Sequence, residues 1–539
     1  MLRVSGMEAK STPVETHPVG ECKSTSFGDQ RAWPVDTPGG RYYAEWDTGA
    51  PVTREGQLIF FFQFLHTGGR WKEFLARCPL KYTGNRGSGA AKVFGTVLLS
   101  VLSGHWRYAH INAVRGDGVN PGLLGIDGTV SEDVVRQAMM RISETQGLEW
   151  LNQQVVWSIA PALKLPWILD IDVTVKPLYG HQQGAELGYN PHKPGRPCHM
   201  YHSYFVANLR ISLGVEVRAG KEQAASHGLP GMWRTLERLP RENWPTFVRG
   251  DCGNGNEAVM RECEERSMPY LFKLRHTARV KELVQAMMRK GAGWQDCGDG
   301  WQAMECELKL SGWTRSRRVI LVRETSAQAP LRLENGKKRR GKDRQSLFAN
   351  GDAEGWRAQA TPWSGKISVV VTSLDERAFS TQAIPRQYRE RADAENSFDE
   401  LKNQWGWGGF TSRRLGPSRL MANLVALFYN WWNLYVRFFD EERHREAIRS
   451  RPMLMQGVGR QVQSGGQRTV KVSIVHEKGE MIASAVAAVS KELHHIRCIT
   501  ERWSTSECWA LLLTRILRRW LGGKWLFGVP EDAQLLLSG

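Results

Sequence analysis

Residues 387–402, QYRERADAENSFDELK, contain neither Gly nor Pro, and the next glycine is Gly406. Ala, Leu, Glu and Arg dominate, so the segment is expected to be helical. Tyr388, Arg391, Glu395 and Lys402 lie at offsets of three, seven and fourteen from the tyrosine. At about 100° per residue these four side chains fall within an arc of roughly 60°. One stripe then carries a carboxylate flanked by a phenol, a guanidinium and an ammonium. That set suits a site where Glu395 holds a divalent metal while Arg391 and Lys402 hold phosphate. A solvated helix with an i,i+4 Arg–Glu pair has the same spacing.

Charge narrows the choice. Lys and Arg number 73 against 55 Asp and Glu, a net charge of +18. That excess favours a polyanionic partner, because neutralising phosphates releases counterions. The 22 tryptophans add stacking capacity of the kind nucleic acid exploits. Nine cysteines include no C-x-x-C pair, which argues against a zinc ribbon or a disulfide framework and for reduced thiols. No Walker loop and no G-x-S-x-G element occurs, so an ATP-driven translocase and a serine hydrolase are unsupported. The N-terminus lacks the apolar core of a signal peptide. The apolar run 420–439 contains Asn423, Asn430, Asn433 and Arg437, which points to a buried helix and not a membrane span.

Along the chain, residues 1–50 read as a loose, flexible arm rich in Gly, Pro, Ser and Thr. Residues 51–163 read as short helices joined by Gly-bearing turns, one with Thr129 and Glu132 as a capping box. At Pro166 strands begin. WILDIDVTV places Asp170 and Asp172 on one face, and local chemistry does not choose between them. The loop beyond holds a lone His181, whose expected role is a hydrogen bond and not a metal ligand. TFVRGDCGNGN puts Asp251 where a strand ends, beside glycines that let a backbone approach a ligand. Asp251 as the cap of the next helix is the structural alternative. Asp251 and Glu395 are separated by 144 residues (395 minus 251) that include alternating strands and a basic run, Lys337, Lys338, Arg339 and Arg340. That run is expected to contact a DNA backbone. Trp301, Trp313, Trp356 and Trp363 are spread through the same region, each a candidate to stack on a flipped base or to pack in a core. In the tail, Arg515, Arg518 and Arg519 make a basic helix face suited to dimerisation or DNA contact.

The pattern Y-x2-R-x3-E-x6-K resembles the signature of bacterial insertion-sequence transposases with a DDE site on an RNase H-like fold. It matches at all four positions, and YNWW at 429–432, DIDVT and RGD resemble that group too. The resemblance implies an α/β fold: an RNase H-like mixed sheet flanked by helices, interrupted by a β-rich insertion and preceded by a helical domain. The implied organisation is an arm (1–50), a helical DNA-binding domain (51–163), a catalytic core (164–280 and 365–440), an insertion (281–364) and a C-terminal α+β region (441–539). It also implies Asp172, Asp251 and Glu395 as catalytic and metal-binding acids, with Asp172 preferred to Asp170 for its D-x-T form. Two Mg²⁺ or Mn²⁺ ions would be the cofactors. Tyr388, Arg391 and Lys402 would bind DNA phosphate. The implied activity is cut-and-paste DNA transposition in the bacterial cytoplasm, in association with the nucleoid. Its partners would be double-stranded DNA, both terminal inverted repeats and target, bound by a homodimer, with no membrane involved. The alternatives are a catalytically silent DNA-binding protein derived from a transposase, and an RNase H-like DNA nuclease that cuts without joining.

Overall fold

A computed structural model describes residues 32–82, 89–190, 193–324 and 367–530. The chain divides into two compact units, Met1–Pro51 and Val52–Gly539. In the first, where a loose arm was expected, β1 (Trp33–Thr37) and β2 (Gly40–Ala44) form an antiparallel hairpin. Gly40 takes a φ of 110° at its turn, a conformation open to glycine.

The second unit opens with β3 (Val52–Thr53) and then the helices α1 (Leu58–Thr67), α2 (Arg70–Ala76), α3 (Ala90–Leu102), α4 (Asn120–Leu123), α5 (Glu132–Arg141) and α6 (Glu144–Ile159). The expected capping box at Thr129 is not the start of α5. Ser131 caps it, accepting from the Val134 amide, and Glu132 already occupies the first helical position. A box needs its acid two positions further in, where it can reach back. These helices share one hydrophobic core with the rest of the unit.

The sheet follows: β4 (Ile168–Pro177), β5 (Glu186–Leu187), β6 (Pro197–Val206), β7 (Ile211–Ala219), α7 (Ala225–Leu236), β8 (Phe247–Gly250), α8 (Glu257–Glu265), β9 (Tyr270–Lys273) and α9 (Ala278–Lys290). Next come β10 (Gln295–Asp296), β11 (Trp301–Leu308), β12 (Arg317–Glu324) and β13 (Ile367–Thr372). The order is β10-β11-β12-β13-β9-β8-β4-β6-β5, with β7 also on β6. Only β4–β8 and β8–β9 are parallel. Of the expected insertion, 281–364, the structure describes residues 281–324. Its strands β10–β12 pair onto β13 and lengthen the central sheet, which satisfies an edge that would otherwise stay open. The basic run 337–340 lies outside the described residues, as do Trp356 and Trp363.

Two helices then cross the sheet, α10 (Ala383–Arg389) and α11 (Ala392–Asn403), followed by α12 (Leu415–Val436). The asparagines of α12 explain its mixed sequence. Asn430 donates to the Ser212 carbonyl at 2.7 Å and accepts from the Ser212 amide at 2.9 Å. Asn423 does the same for Val215, at 2.9 and 3.2 Å. The helix is thereby locked to β7 inside the core. Among the described residues no helix is long and apolar enough to cross a membrane.

The chain ends in α13 (Ala447–Leu454), β14 (Val458–Ser464), β15 (Gln467–Ser473), α14 (Gly479–Ile499) and α15 (Thr505–Ile516). β14 pairs with both β15 and β3, tying this region to the start of the unit. Phe61 and Phe64 of α1 pack on Trp432, Tyr435 and Trp509 at centroid distances of 5.3 to 5.8 Å. Each buried aromatic contributes roughly 1.5–3 kcal/mol. None of the eight cysteines among the described residues is in a disulfide.

Candidate active site

The parallel strands set the site by register. Ile168 lies opposite Phe247, Asp170 opposite Arg249, and Arg249 opposite Leu271. Side chains alternate along a strand, so directly paired residues share a face. Ile168, Phe247 and Leu271 belong to an apolar cluster that also holds Ile384 and Tyr388 of α10. One step past the Ile171–Gly250 and Gly250–Phe272 pairs, the same face presents Asp172, Asp251 and Lys273.

Between the apolar floor and that charged row sits a buried ion pair. Arg249 Nε donates to Asp170 Oδ1 at 2.6 Å and Nη2 to Oδ2 at 2.7 Å, both side chains being 1% exposed. Arg249 Nη1 also donates to the Gln387 carbonyl. One guanidinium thus joins β4, β8 and α10. Asp170 is committed to that contact, whereas Asp172 is turned to the site.

Residues 387–402 do not form one continuous helix. Glu390 and Arg391 form a turn between α10 and α11, where the Arg391 amide bonds three residues back to Tyr388 at 3.1 Å. The turn brings the Arg391 guanidinium down between two acids, 3.2 Å from Asp172 Oδ1 and 2.6 Å from Glu395 Oε1. Its side chain is 3% exposed, and Nε is buried with no hydrogen-bond partner among the described residues.

The electrostatics follow from this crowding. Burial pushes the Asp172 carboxyl up to about 7; Arg391 pulls it down, and Asp251 and Glu395 push it further up. Glu395 is likewise raised, by burial first, against the pull of Arg391. Burial disfavours the Arg391 charge, but Asp172, Tyr388, Glu395 and Asp251 outweigh it and hold the guanidinium protonated. Lys273 is lowered by burial and feels Cys252, Glu395 and Asp251. Asp251 Oδ1 accepts from the Gly253 amide and from Asn254 Nδ2, both at 2.9 Å, while Asn256 caps α8. Asp251 is therefore held by its own loop and is not the helix cap.

The structure thus brings Asp172, Asp251 and Glu395 into one neighbourhood, with Arg391 at its centre. Tyr388 stands to one side, 4% exposed in the apolar floor. Lys402 lies two turns along α11 from Glu395, half-buried, its pKa lowered by burial. Trp301 lies under the Arg389 guanidinium, 4.8 Å from its ring centre, and Trp313 is buried. Arg515 is engaged by Glu492 and Glu441, at 2.5 and 2.7 Å, so that part of the tail's basic face is internally neutralised.

Three carboxylates that repel one another supply oxygen donors, the chemistry that suits hard divalent cations. Among the described residues, no group of three or more His, Cys, Asp and Glu is drawn close enough to hold an ion. Arg391 neutralises the acids instead. Arg249, Asn254 and Lys273 are the site's neighbours that sequence reasoning left without a role. The signal for Arg249 was its position two residues before Asp251, which puts it on the same face of the strand.

Residues 163–431 match the transposase DDE domain family. No curated protein matches the chain. Among solved structures, a piggyBac transposase synaptic complex with hairpin DNA is similar at a TM-score of 0.34 and 11% identity, over 84% of each chain.

Proposed function

We propose, from the match of residues 163–431 to the transposase DDE domain family, that this chain is a cut-and-paste DNA transposase. In this reading Asp172, Asp251 and Glu395 are its catalytic acids. The observation that carries it is Arg391, which contacts acids from β4 and α11 while the third acid raises the pKa of both. The strand order β7-β6-β4-β8-β9, antiparallel up to β4 and parallel from there, supports an RNase H-like core.

Asp172, Asp251 and Glu395 are the residues to hold two Mg²⁺ or Mn²⁺ ions. Ions held there would supply activation of a water or 3′-hydroxyl nucleophile and stabilisation of the leaving oxygen. Arg391, always charged, keeps the acids paired in their absence. Arg391 would also be placed to hold a DNA phosphate beside the acids. Lys402 holds the strand further along α11. Tyr388 braces the turn that carries Arg391, and a phosphate contact requires that turn to move. Lys337, Lys338, Arg339 and Arg340 contact the DNA backbone. The protein acts as a homodimer on terminal inverted repeats and joins them to target DNA, in the bacterial cytoplasm at the nucleoid.

The test is Mg²⁺-dependent cleavage and joining on DNA carrying the sequences that flank the gene. Wild type is expected to nick, release and insert these ends. D172A, D251A and E395A are expected to bind the same DNA with cleavage lost. Cleavage that survives in these variants removes the assignment; cutting without insertion of pre-cut ends identifies a nuclease.

A further inference from the structure

The loop leaving β4 holds a cluster that the acids do not use. Tyr179, 67% exposed, stands two residues beyond the end of the strand. Lys193 Nζ donates to its hydroxyl and lies 5.0 Å from the ring centre. The Arg196 guanidinium lies 4.6 Å from the same centre. The turn that gathers them is fixed by its backbone: the Lys193 amide donates to Asn190 Oδ1 at 3.0 Å, and the Arg196 amide to the Lys193 carbonyl at 3.2 Å. Among the described residues neither cation is paired with a carboxylate. Two like charges are thus held against one exposed ring, an arrangement that repels itself until an anion arrives. The cation–π contact with the ring holds the guanidinium in place, and its fork of N–H donors matches phosphate. Tyr179 registers the same field: the Lys193 hydrogen bond, then the charges of Lys193 and Arg196, lower its hydroxyl pKa.

The position of the cluster sets its distance from the acids. β4 runs on five residues past Asp172 to Pro177. At about 3.3 Å per residue, that carries the chain roughly 17 Å from the acid. A duplex advances about 3.4 Å per base pair. A duplex would span that distance in about five base pairs.

We propose that Tyr179, Lys193 and Arg196 form a phosphate clamp that grips the backbone of DNA flanking the reacting bond without reading its sequence. The identity of the polyanion rests on the transposase reading above; the clamp geometry does not.

The test uses the full chain in EDTA with two fluorescein-labelled duplexes, one of mixed sequence and one carrying the gene-flanking sequence. Fluorescence anisotropy gives the affinity over a range of salt. Two phosphate contacts contribute a slope of about 1.8 to the fall of log K with log salt. K193Q/R196Q is expected to lose that slope and to weaken on both duplexes by the same factor. Y179F is expected to keep most of the slope, and Y179A, which frees both cations from the ring, to lose part of it. Circular dichroism and melting should be unchanged, because all three side chains are at the surface. A wild-type slope in K193Q/R196Q overturns the clamp and leaves the transposase reading standing. Loss confined to the flanking sequence overturns sequence-independent grip. Failure of wild type to bind either duplex overturns both.

Discussion

Arg249→Met tests whether the buried pair beneath the acids holds the site in register. Methionine matches the length of the arginine stem, so the change removes charge and hydrogen bonds with little change of volume. It deletes the 2.6 and 2.7 Å bonds to Asp170 and the bond to the Gln387 carbonyl. Asp170, fully buried, is left as a carboxylate without a cation. Breaking one side of such a pair costs about 3–5 kcal/mol, whereas replacing both sides with apolar groups is near neutral or stabilising. D170L/R249M is therefore expected to recover most of the stability lost in R249M. Hydrogen exchange at the β4 and β8 amides is the assay. At about 1.4 kcal/mol per tenfold, R249M should speed exchange by roughly two to three and a half orders of magnitude. The double variant should return near wild type in exchange yet remain poor in DNA cleavage, because the polar link from β4 and β8 to the Gln387 carbonyl of α10, just before the Arg391 turn, is then gone. A loss below about 1 kcal/mol in R249M, or a double variant as damaged as the single, refutes the argument.

Two groups on β4 give opposite pH dependences in the metal-free protein. Asp172 has a pKa of about 7 against an ordinary 3.8, so between those values the folded chain keeps a proton the unfolded chain has lost, and stability falls as pH rises. Burial lowers Lys176 to about 7 against 10.5, so the unfolded chain holds the extra proton and stability rises from pH 7 upward. Denaturation across pH 4–10 should show a minimum near neutrality, with D172N flattening its acid limb and K176M its alkaline limb. Asn430→Leu leaves the Ser212 amide and carbonyl unpaired in the core, at about 1–3 kcal/mol each, and should loosen β7 in hydrogen exchange. Mn²⁺ at pH 8 should raise the melting temperature of wild type but not of D172A, since a bound cation relieves the repulsion among the acids.

Much of the architecture was legible because it is local. The strand runs at 168–177, 247–250 and 270–273, the asparagine-bearing helix behind them and the helical N-terminal region all follow from periodicity and turn residues. What failed were features decided by distant partners. Nothing in residues 387–402 forbids one helix. The turn at Arg391 is favoured by what lies below it, since the guanidinium must descend to reach Asp172 from the neighbouring strand. The insertion looked autonomous because its strands alternate like those of an exposed sheet, yet β12 finds its partner in β13 across a long excursion of the chain.

The choice between Asp170 and Asp172 shows where local reading stops. Both belong to one strand, two residues apart and on one face, and their immediate neighbours are alike. They differ in what β8 sets opposite them: Arg249 for the first, and the start of the Asp251 loop for the second. A carboxylate with a buried guanidinium of its own, as Asp170 has in Arg249, is spent on the fold, while Asp172 shares Arg391 with Glu395 and lies beside Asp251, so its charge is only partly balanced and it is available to bind a cation. The functional residue is thus fixed by the parallel register of two strands. Moving the cation should move the role: R249D/D251R would pair Asp172 with an arginine and leave Asp170 facing an acid. In that variant Asp172 is expected to lose its raised pKa, read as the loss of the D172N effect on the acid limb of stability. An unchanged D172N effect would show that burial alone, and not the partner strand, sets the chemistry of that aspartate.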